Sequence, residues 1–278
     1  MKLKFNQVDV FTSEPFMGNP VAVVFDADDL TEIKMQQIAK WTNLSETTFV
    51  QSSEIGDYKL KIFSQRGEMK FAGHPTVGSA YALLKAGKLN SAKKGFMQDC
   101  KAGMVIIKAE NGKVYTKVPE IYPLNINIDQ KLFENAIGCK TTSKPIALDS
   151  GPVWVTASVL DLNTLNSIKL DIDRANELNK NDNISGINLY CIDNQKNVHV
   201  RTFAPMLGVL EDPVCGSGNA AVAAHAKISG AIKTLGDKFT AYQGSALGRN
   251  GVIQIKLEKD DIYIGGESVI VINGEINI

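Results

Sequence analysis

The chain has 278 residues, enough for one large domain or two smaller ones, and its hydrophobic fraction of 44% is ordinary for a globular protein. Its 30 Lys and Arg residues balance its 30 Asp and Glu residues, so no overall field favours nucleic acid or a membrane surface as a partner. No stretch reaches the roughly 18 apolar residues of a membrane span, and the first residues are not followed by the apolar run of a secretory signal. We therefore expect no membrane partner and no nucleic-acid partner.

The cysteine and histidine content predicts a reducing environment. The four cysteines, at positions 100, 139, 191 and 215, form no C-x-x-C pair, and the chain has only three histidines. This is not a recognisable zinc-binding set, and a chain of this length does not need disulfides in order to fold. The sequence predicts a cytoplasmic protein without a metal site.

Short apolar runs separated by Gly, Asn and Asp predict many strands along the chain. Many strands with few helices, and no regular alternation of the two, indicate an α+β protein. The strand-like segments are 8–11, 22–25, 59–63, 104–109, 153–159, 198–203, 252–257, 262–264 and 269–272.

Helical patterns are fewer. A helix is predicted from Leu30 onward, with Thr31 as its N-cap, because apolar residues then recur at helical spacing. Two shorter helices are predicted at 129–137 and 171–180. The segment 176–197 is rich in Asn, Asp and Lys, and it is predicted to be an exposed loop.

An internal repeat divides the chain into two similar halves. Residues 72–87, AGHPTVGSAYALLKAG, align without a gap with residues 215–230, CGSGNAAVAAHAKISG, which start 143 positions later. Both end in a glycine that suits the end of a helix, and neither has a charged face, which is typical of a buried helix. His225, inside the second helix, is predicted to be a core histidine. Each half is therefore predicted to be a curved sheet around one central helix.

The N-termini of these two helices are candidate anion sites, because the first turn of a helix has unpaired N–H groups and a partial positive charge. The sequence GSGN lacks the ending of a phosphate-binding loop, and neither copy has a complete G-x-G-x-x-G. A carboxylate or a developing enolate therefore fits better than a nucleotide. His74, near the start of the first helix, is alternatively an N-cap.

Candidate reactive side chains stand at both helix starts and in a third, separate stretch of the sequence. Glu46 stands in NLSETTFV, and Asp212, Cys215 and Ser217 stand in EDPVCGSGN, with His74 at the position that matches Ser217. Each also has a structural alternative. Glu46 is alternatively a carboxylate at a helix end or strand edge, Asp212 a residue that opens a turn, and Cys215 a small buried hydrophobic residue.

Six motifs in order make the chain similar to the PhzF-like family of the diaminopimelate-epimerase-like superfamily, and the resemblance covers nearly the whole sequence. It implies an α+β fold with two pseudo-symmetric lobes, each a barrel-like, mainly antiparallel sheet wrapped around a central helix. The N-terminal lobe is then expected at 1–120 plus 268–278, the C-terminal lobe at 121–267, and the active site in the cleft between them. The motifs are VDVFTSEPFMGNPVAVV at 8–24, NLSETTFV at 43–50, FAGHPTVG at 71–78, VRTFAPMLGVLEDPVCGSGNAA at 200–221, YQGSALGRNG at 242–251 and IGGESVIVINGEI near the C-terminus.

The same resemblance implies roles for individual residues. Glu46 matches the family's acid/base glutamate, His74 its active-site histidine and Asp212 its aspartate, and these three form the expected catalytic set. The residues expected to bind the substrate are Gly73, Gly216, Ser217, Asn19 and Cys215.

The implied activity is that of a cofactor-independent isomerase, which moves a proton between carbons of a small carboxylate-bearing substrate by glutamate acid/base catalysis. The resemblance also implies a homodimer. Two alternatives are an amino-acid racemase or epimerase that uses Cys215, and a non-catalytic protein that binds a small molecule. The racemase branch uses one cysteine in each half, at positions that correspond here to Ala72 and Cys215. Because the pair is incomplete, the isomerase is favoured.

Overall fold

The computed structural model describes residues 1–178 and 184–278. Strands greatly exceed helices in this part of the chain, which confirms the predicted α+β class. In chain order the elements are β1 (Lys2–Val10), β2 (Asn19–Val24), α1 (Glu32–Thr42), β3 (Glu46–Gln51), β4 (Tyr58–Ser64), β5 (Glu68–Met69), α2 (Gly73–Lys85), β6 (Gly95–Cys100), β7 (Gly103–Glu110), β8 (Lys113–Lys117), β9 (Tyr122–Pro123), α3 (Gln130–Ile137), β10 (Ile146–Asp149), β11 (Val153–Ser158), α4 (Leu162–Ser167), α5 (Ile172–Leu178), β12 (Gly186–Ile192), β13 (Val198–Ala204), β14 (Val209–Asp212), α6 (Gly216–Ser229), α7 (Ile232–Leu235), β15 (Lys238–Gln243), β16 (Gly251–Glu258), β17 (Asp261–Gly266) and β18 (Ser268–Asn277).

The chain forms two compact units. Unit 1 comprises Met1–Lys117 and Gly265–Ile278, and unit 2 comprises Val118–Ile264. The last strand, β18, belongs to unit 1 because it pairs antiparallel with β1 over nearly its whole length.

Strand pairing follows the same order in both units. In unit 1, β1 and β2 are antiparallel, β2 and β3 parallel, β3 and β4 antiparallel, β4 and β6 parallel, and β6 and β7 antiparallel. In unit 2, the same alternation runs through β10, β11, β12, β13, β15 and β16. The internal repeat seen in the sequence is therefore a repeat of topology.

One buried helix packs against the sheet of each unit, as the repeat predicts. α2 packs against β1, β2, β3, β8 and β18, and α6 packs against β10, β11, β12 and β16. Both helices are buried over nearly their whole length because they consist mostly of small residues. They end as expected, since Gly87 follows α2 with a φ of 71° and Gly230 caps α6 with a φ of 82°.

Buried hydrogen bonds hold α2 to the sheet of unit 1. The hydroxyls of Thr48 and Ser79 lie 2.8 Å apart, which joins β3 to the helix. The Nε2 atom of Gln98 donates to Oγ1 of Thr76 at 3.2 Å, and the Tyr58 hydroxyl donates to Oε1 of Gln98 at 3.0 Å. Because these groups are buried, losing one partner would leave the other unsatisfied.

A corresponding set holds α6 in unit 2. Asn188 Nδ2 donates to the Gly218 carbonyl at 2.7 Å, and the Thr202 hydroxyl donates to Asn188 Oδ1 at 2.8 Å. Farther along the helix, Nδ1 of His225 lies 3.0 Å from the Tyr190 hydroxyl, and its Nε2 lies 3.2 Å from the Lys144 carbonyl oxygen. His225 is fully buried and both ring nitrogens have a partner, so its prediction as a core histidine is confirmed.

Helix α1 begins where the sequence predicts. The Thr31 side chain accepts a hydrogen bond from the Lys34 N–H at 3.3 Å, which confirms Thr31 as the N-cap. The apolar pattern is only partly buried, since Met35 is buried while the side chain of Trp41 is 80% exposed. None of the described helices has the length and hydrophobicity that crossing a bilayer requires.

The prediction of an exposed loop at 176–197 is wrong for much of the described part of this segment. α5 runs to Leu178, and β12 spans Gly186–Ile192 as a buried strand that pairs with β11 and β13. Its apolar residues pack into the core of unit 2, and its polar ones, such as Asn188, hydrogen-bond to α6. Residues 179–183, which include the end of the predicted helix 171–180, lie outside the described residues.

We predict that Gly78→Ala lowers the free energy of unfolding by about 1–2 kcal/mol. A Cβ atom at Gly78 would lie 2.6 Å from Cγ1 of Val21 and 2.7 Å from Cγ2 of Val10, so the helix would have to move away from β1 and β2. The cost of overpacking, about 1–3 kcal/mol, exceeds the gain in helix propensity of at most about 1 kcal/mol. Urea unfolding followed by circular dichroism measures the change.

Gly67→Ala is the matched control, because a Cβ atom there meets nothing within 4 Å. We expect it to change the unfolding free energy by less than about 0.5 kcal/mol. Equal stability of the two variants would contradict the close packing of α2.

Candidate active site

Glu46 and His74 come together in unit 1. Glu46 is the first residue of β3, His74 is the second residue of α2, and Nε2 of His74 lies 3.3 Å from Oε2 of Glu46. Their side chains are only 15% and 8% exposed. The start of a strand and the start of a buried helix thus bring two groups able to exchange protons to within ion-pair distance.

The Glu46 carboxyl is in an environment that disfavours its charge. Burial raises the pKa of Glu46 from 4.5 to about 7, and a hydrogen bond from the Ser45 side chain opposes part of this rise. Oε2 of Glu46 is buried, and it accepts no hydrogen bond from the part of the chain that the structure describes. At neutral pH the carboxyl therefore populates both its protonated and its ionised form.

A second buried glutamate, Glu134 in α3, shows the contrasting case. It accepts hydrogen bonds from Nζ of Lys140 at 2.6 Å, Nε2 of Gln130 at 3.1 Å and the Thr141 N–H at 3.2 Å. These bonds, with that from Lys140 foremost, lower the pKa of Glu134 to about 2. The Lys140 ammonium therefore keeps Glu134 ionised, whereas Glu46, whose pKa is raised by burial, can take up a proton near pH 7.

The interpretation of His74 as an N-cap is wrong. The N-cap of α2 is Ala72, which has no side-chain hydrogen bond to the helix, although its carbonyl accepts from the Thr76 N–H at 3.2 Å. His74 lies inside the first turn and directs its ring nitrogen towards Glu46. Gly73 is the first residue of α2 and is buried beside His74.

Asn19 is the first residue of β2 and is 3% exposed. The parallel pairing of β2 with β3 aligns Ala22 with Thr47, so Asn19 lies at the same end of the sheet as Glu46. Unit 1 therefore places Glu46, His74, Gly73 and Asn19 where β2, β3 and α2 begin.

The remaining predicted residues gather around the start of α6 in unit 2. Asp212 ends β14, and its Oδ1 accepts a hydrogen bond from the Val214 N–H at 3.0 Å. Cys215 is the N-cap of α6, Gly216 is the first helical residue and Ser217 the second. The alignment made from the sequence holds here, because Cys215 and Ser217 occupy the positions in α6 that Ala72 and His74 occupy in α2.

The Cys215 thiol acts as a helix cap. Its sulfur accepts a hydrogen bond from the Gly218 N–H at 3.3 Å and lies 3.5 Å from the Ser217 hydroxyl. Burial raises the pKa of Cys215 well above its ordinary value, and the nearby negative charge of Asp212 raises it further. The thiolate form is therefore disfavoured.

Sequence reasoning missed the groups that orient these residues. The indole Nε1 of Trp154 in β11 donates to the Ser217 hydroxyl at 3.1 Å, and Gln243 at the end of β15 bonds to the backbone around Cys215. Gln243 lies inside the quoted motif YQGSALGRNG, but no spacing rule links it to a residue 28 positions earlier. No group of three or more His, Cys, Asp or Glu within residues 1–178 and 184–278 is arranged to hold a metal ion.

Comparison with known proteins agrees with this architecture. The family model for Phenazine biosynthesis-like protein (PhzC-PhzF) matches residues 8–274. Among curated relatives, Antisense-enhancing sequence 1 of Schizosaccharomyces pombe is 35% identical, with 98% of this chain and 97% of the relative covered. Trans-2,3-dihydro-3-hydroxyanthranilate isomerase of Pseudomonas chlororaphis is 31% identical, with 90% and 89% covered.

A solved structure matches the whole fold as well. The phenazine biosynthesis protein of the PhzF family from Bacillus anthracis superimposes with a TM-score of 0.87 at 26% identity, and 100% of each chain is covered. A family model that spans nearly all of the sequence, relatives named as isomerases and a matching structure lead to one conclusion. The chain belongs to the phenazine biosynthesis-like PhzC-PhzF family and is an isomerase with a diaminopimelate-epimerase-like α+β fold.

Proposed function

We propose that the protein moves a proton between two carbons of a small carboxylate-bearing substrate, with Glu46 as the acid/base group. The observation that carries the proposal is the buried Glu46 carboxyl, whose pKa is about 7, with Nε2 of His74 at 3.3 Å. A group that must first accept and then return a proton works best when its pKa is near the working pH.

The proposed reaction conserves protons. The Glu46 carboxylate takes a proton from a C–H bond, and the electron pair of that bond moves into the adjacent unsaturated system of the substrate. The Glu46 carboxylic acid, whose proton exchanges with solvent, then gives a proton to a second carbon, and the double bond shifts. Glu46 ends the cycle ionised, as it began.

His74 and the start of α2 are proposed to bind the substrate beside Glu46. The first turn of a helix carries N–H groups without intrahelical partners and a partial positive charge, which favours a carboxylate or a developing enolate. Gly73 has no side chain to keep a ligand away from these N–H groups. Asn19, at the same end of the sheet, is proposed as a further polar contact.

We propose that the residues around the start of α6 act in the same reaction. The Gly218 N–H is bonded to Cys215, and the Asn219 N–H to the Cys215 carbonyl at 3.0 Å. The first two N–H groups of α6, at Gly216 and Ser217, have no acceptor among the described residues and are proposed to face a substrate anion. Asp212 is proposed to orient a polar group of the substrate, and Ser217 to bind it through a hydroxyl whose direction Trp154 sets.

The alternative of a thiol-dependent racemase loses support at both cysteine positions. The Cys215 sulfur is engaged as a helix cap and its pKa is raised, so a thiolate base is disfavoured at neutral pH. The corresponding position in α2 is Ala72, which has no acid/base group. A glutamate-based isomerase, in contrast, needs only Glu46 and the polar residues beside it, and these are present.

We predict that Glu46→Gln lowers solvent-deuterium incorporation into substrate carbons by at least about 100-fold, the usual contribution of a positioned acid/base group. Glutamine keeps the shape of the side chain but cannot accept the proton. Incorporation is followed by NMR in D₂O with a panel of small cyclic and amino carboxylic acids. The panel includes trans-2,3-dihydro-3-hydroxyanthranilate, the compound in the name of the Pseudomonas chlororaphis relative.

Glu134→Gln is the control for this experiment, because it removes a second buried carboxyl whose partners already keep it ionised. It should retain wild-type incorporation. Full incorporation by Glu46→Gln, or tight binding of a panel compound by the wild type with neither incorporation nor isomerisation, would contradict the proposal. The second result would support a non-catalytic binder.

The pH dependence of kcat/KM should report the ionisation of Glu46. Only the carboxylate can remove the first proton, so kcat/KM is expected to rise about tenfold per pH unit below pH 7 and to level off above it. Steady-state rates between pH 5 and 9 measure the profile. A rate that stays constant from pH 5 to 7 would mean that a different group is the base.

We further propose a cytoplasmic homodimer. The four cysteines of the chain carry free thiols, which suits a reducing compartment. Sedimentation equilibrium is expected to give twice the chain mass of 30.2 kDa at micromolar concentration. A mass that stays at the value of a single chain would exclude the dimer under those conditions.

A further inference from the structure

The Gln243 side chain bonds to the main chain of the loop that carries Asp212 into α6. The Cys215 N–H donates to Oε1 of Gln243 at 3.0 Å, and Nε2 of Gln243 donates to the Asp212 carbonyl oxygen at 2.9 Å. Gln243 is 4% exposed. A single amide thus bonds to the backbone on both sides of the turn between β14 and α6.

The orientation of the Gln243 amide follows from its partners. A backbone N–H can only donate, so the atom facing Cys215 must be the oxygen. A carbonyl can only accept, so the atom facing Asp212 must be the nitrogen. Turning the amide over would break both bonds at once, and the side chain therefore has one arrangement in this site.

Gln243 is itself held rigidly. It is the last residue of β15, where it is aligned with Val200 of β13 on one side and with Gly251 of β16 on the other. The backbone of the Asp212 loop comes close to this strand end, since a Cβ atom on Gly244 would lie 2.6 Å from the Pro213 carbonyl oxygen. Gln243 therefore hydrogen-bonds to the loop from a strand that is paired on both sides within the sheet of unit 2.

Asn219 extends the same network along α6. Its Nδ2 donates to Oε1 of Gln243 at 2.7 Å and to the Cys215 carbonyl oxygen at 2.9 Å. Its Oδ1 is buried and has no hydrogen-bond partner among the described residues. The network thus joins Gln243 to the first turn of α6 as well as to the Asp212 loop. Its effect is to set the geometry of the turn.

We propose that Gln243 is a positioning residue of the reaction: it sets the backbone at Asp212 and at the first turn of α6, and so aims the Asp212 carboxyl and the Gly216 and Ser217 N–H groups at the substrate. This inference rests on the proposed function for the roles of Asp212 and α6. Gln243 itself touches neither substrate nor the proton that moves.

Three variants separate positioning from a general loss of stability. Gln243→Met removes all bonds of the amide at similar volume. Gln243→Glu keeps an acceptor for Cys215 and can donate to the Asp212 carbonyl only while the new carboxyl is protonated. Gln51→Met is the matched control, because Gln51 also ends a strand and donates its Nε2 to a main-chain carbonyl, that of Ala27, at 3.0 Å.

The rate measurement uses trans-2,3-dihydro-3-hydroxyanthranilate as the probe substrate. Gln243→Met is expected to lower kcat/KM by 10- to 100-fold at every pH, whereas Gln51→Met stays within twofold of wild type. For Gln243→Glu, the ratio of its kcat/KM to that of wild type is expected to fall as pH rises, because the new carboxyl ionises and loses its bond to Asp212. A merely structural role would not produce that pH dependence. A Gln243→Met rate within twofold of the control, or a pH-independent ratio for Gln243→Glu, would overturn the inference.

A second measurement does not depend on turnover. Amide hydrogen exchange at Cys215, followed by NMR on ¹⁵N-labelled protein, is expected to become at least tenfold faster in Gln243→Met and to stay at the wild-type rate in Gln51→Met. If the wild type does not convert the probe, the proposed reaction has failed with that compound, and exchange alone then decides the role of Gln243. An unchanged exchange rate at Cys215 in Gln243→Met would overturn it.

Discussion

The burial of one small-residue helix against the sheet of each unit is the constraint on which the rest of the structure depends. At Gly78 the backbone of α2 comes so close to Val10 and Val21 that even a methyl group would collide. Because its side chains are small, packing alone does little to fix the depth and rotation of such a helix on the sheet. The buried hydrogen bonds of Thr48 to Ser79 and of Asn188 to Gly218 fix the position of each helix on its sheet. The helices are thereby held at a defined depth and rotation.

This placement explains the chemistry at the helix starts. Because α2 is buried from its first turn, His74 enters the interior of unit 1 and meets Glu46 where β3 begins. The same burial removes water from the Glu46 carboxyl and raises its pKa to about 7. Glu134 accepts hydrogen bonds from four donors, of which the Lys140 ammonium lowers its pKa most, and that pKa falls to about 2. Burial raises the pKa of Glu46, whereas the hydrogen bond from Lys140 lowers that of Glu134, and this difference separates a structural carboxylate from one that can exchange protons.

Much of the fold and part of the candidate site could be predicted from local sequence. The Thr31 cap follows from capping chemistry within a few residues, and the two helix starts and the pairing of positions 74 and 217 follow from the internal repeat. The loop predicted at 176–197 was wrong because Asn188 reads as a surface residue, yet its amide is fully paired inside unit 2. Gln243 was not predicted for a similar reason, since its partners lie about 30 positions away.

By itself the sequence determined the α+β class and the repeated helix, which depend on residue types and local spacing, and it identified the family and the acid/base candidates through the resemblance of six motifs along the chain. Only the tertiary structure decided the protonation and orientation of those groups. The pKa of Glu46, the capping role of Cys215 and the direction of the Ser217 hydroxyl each depend on atoms that pairing of distant strands brings within hydrogen-bond distance. Electrostatic and hydrogen-bond energies fall off within a few ångströms, so they are set by neighbours in space.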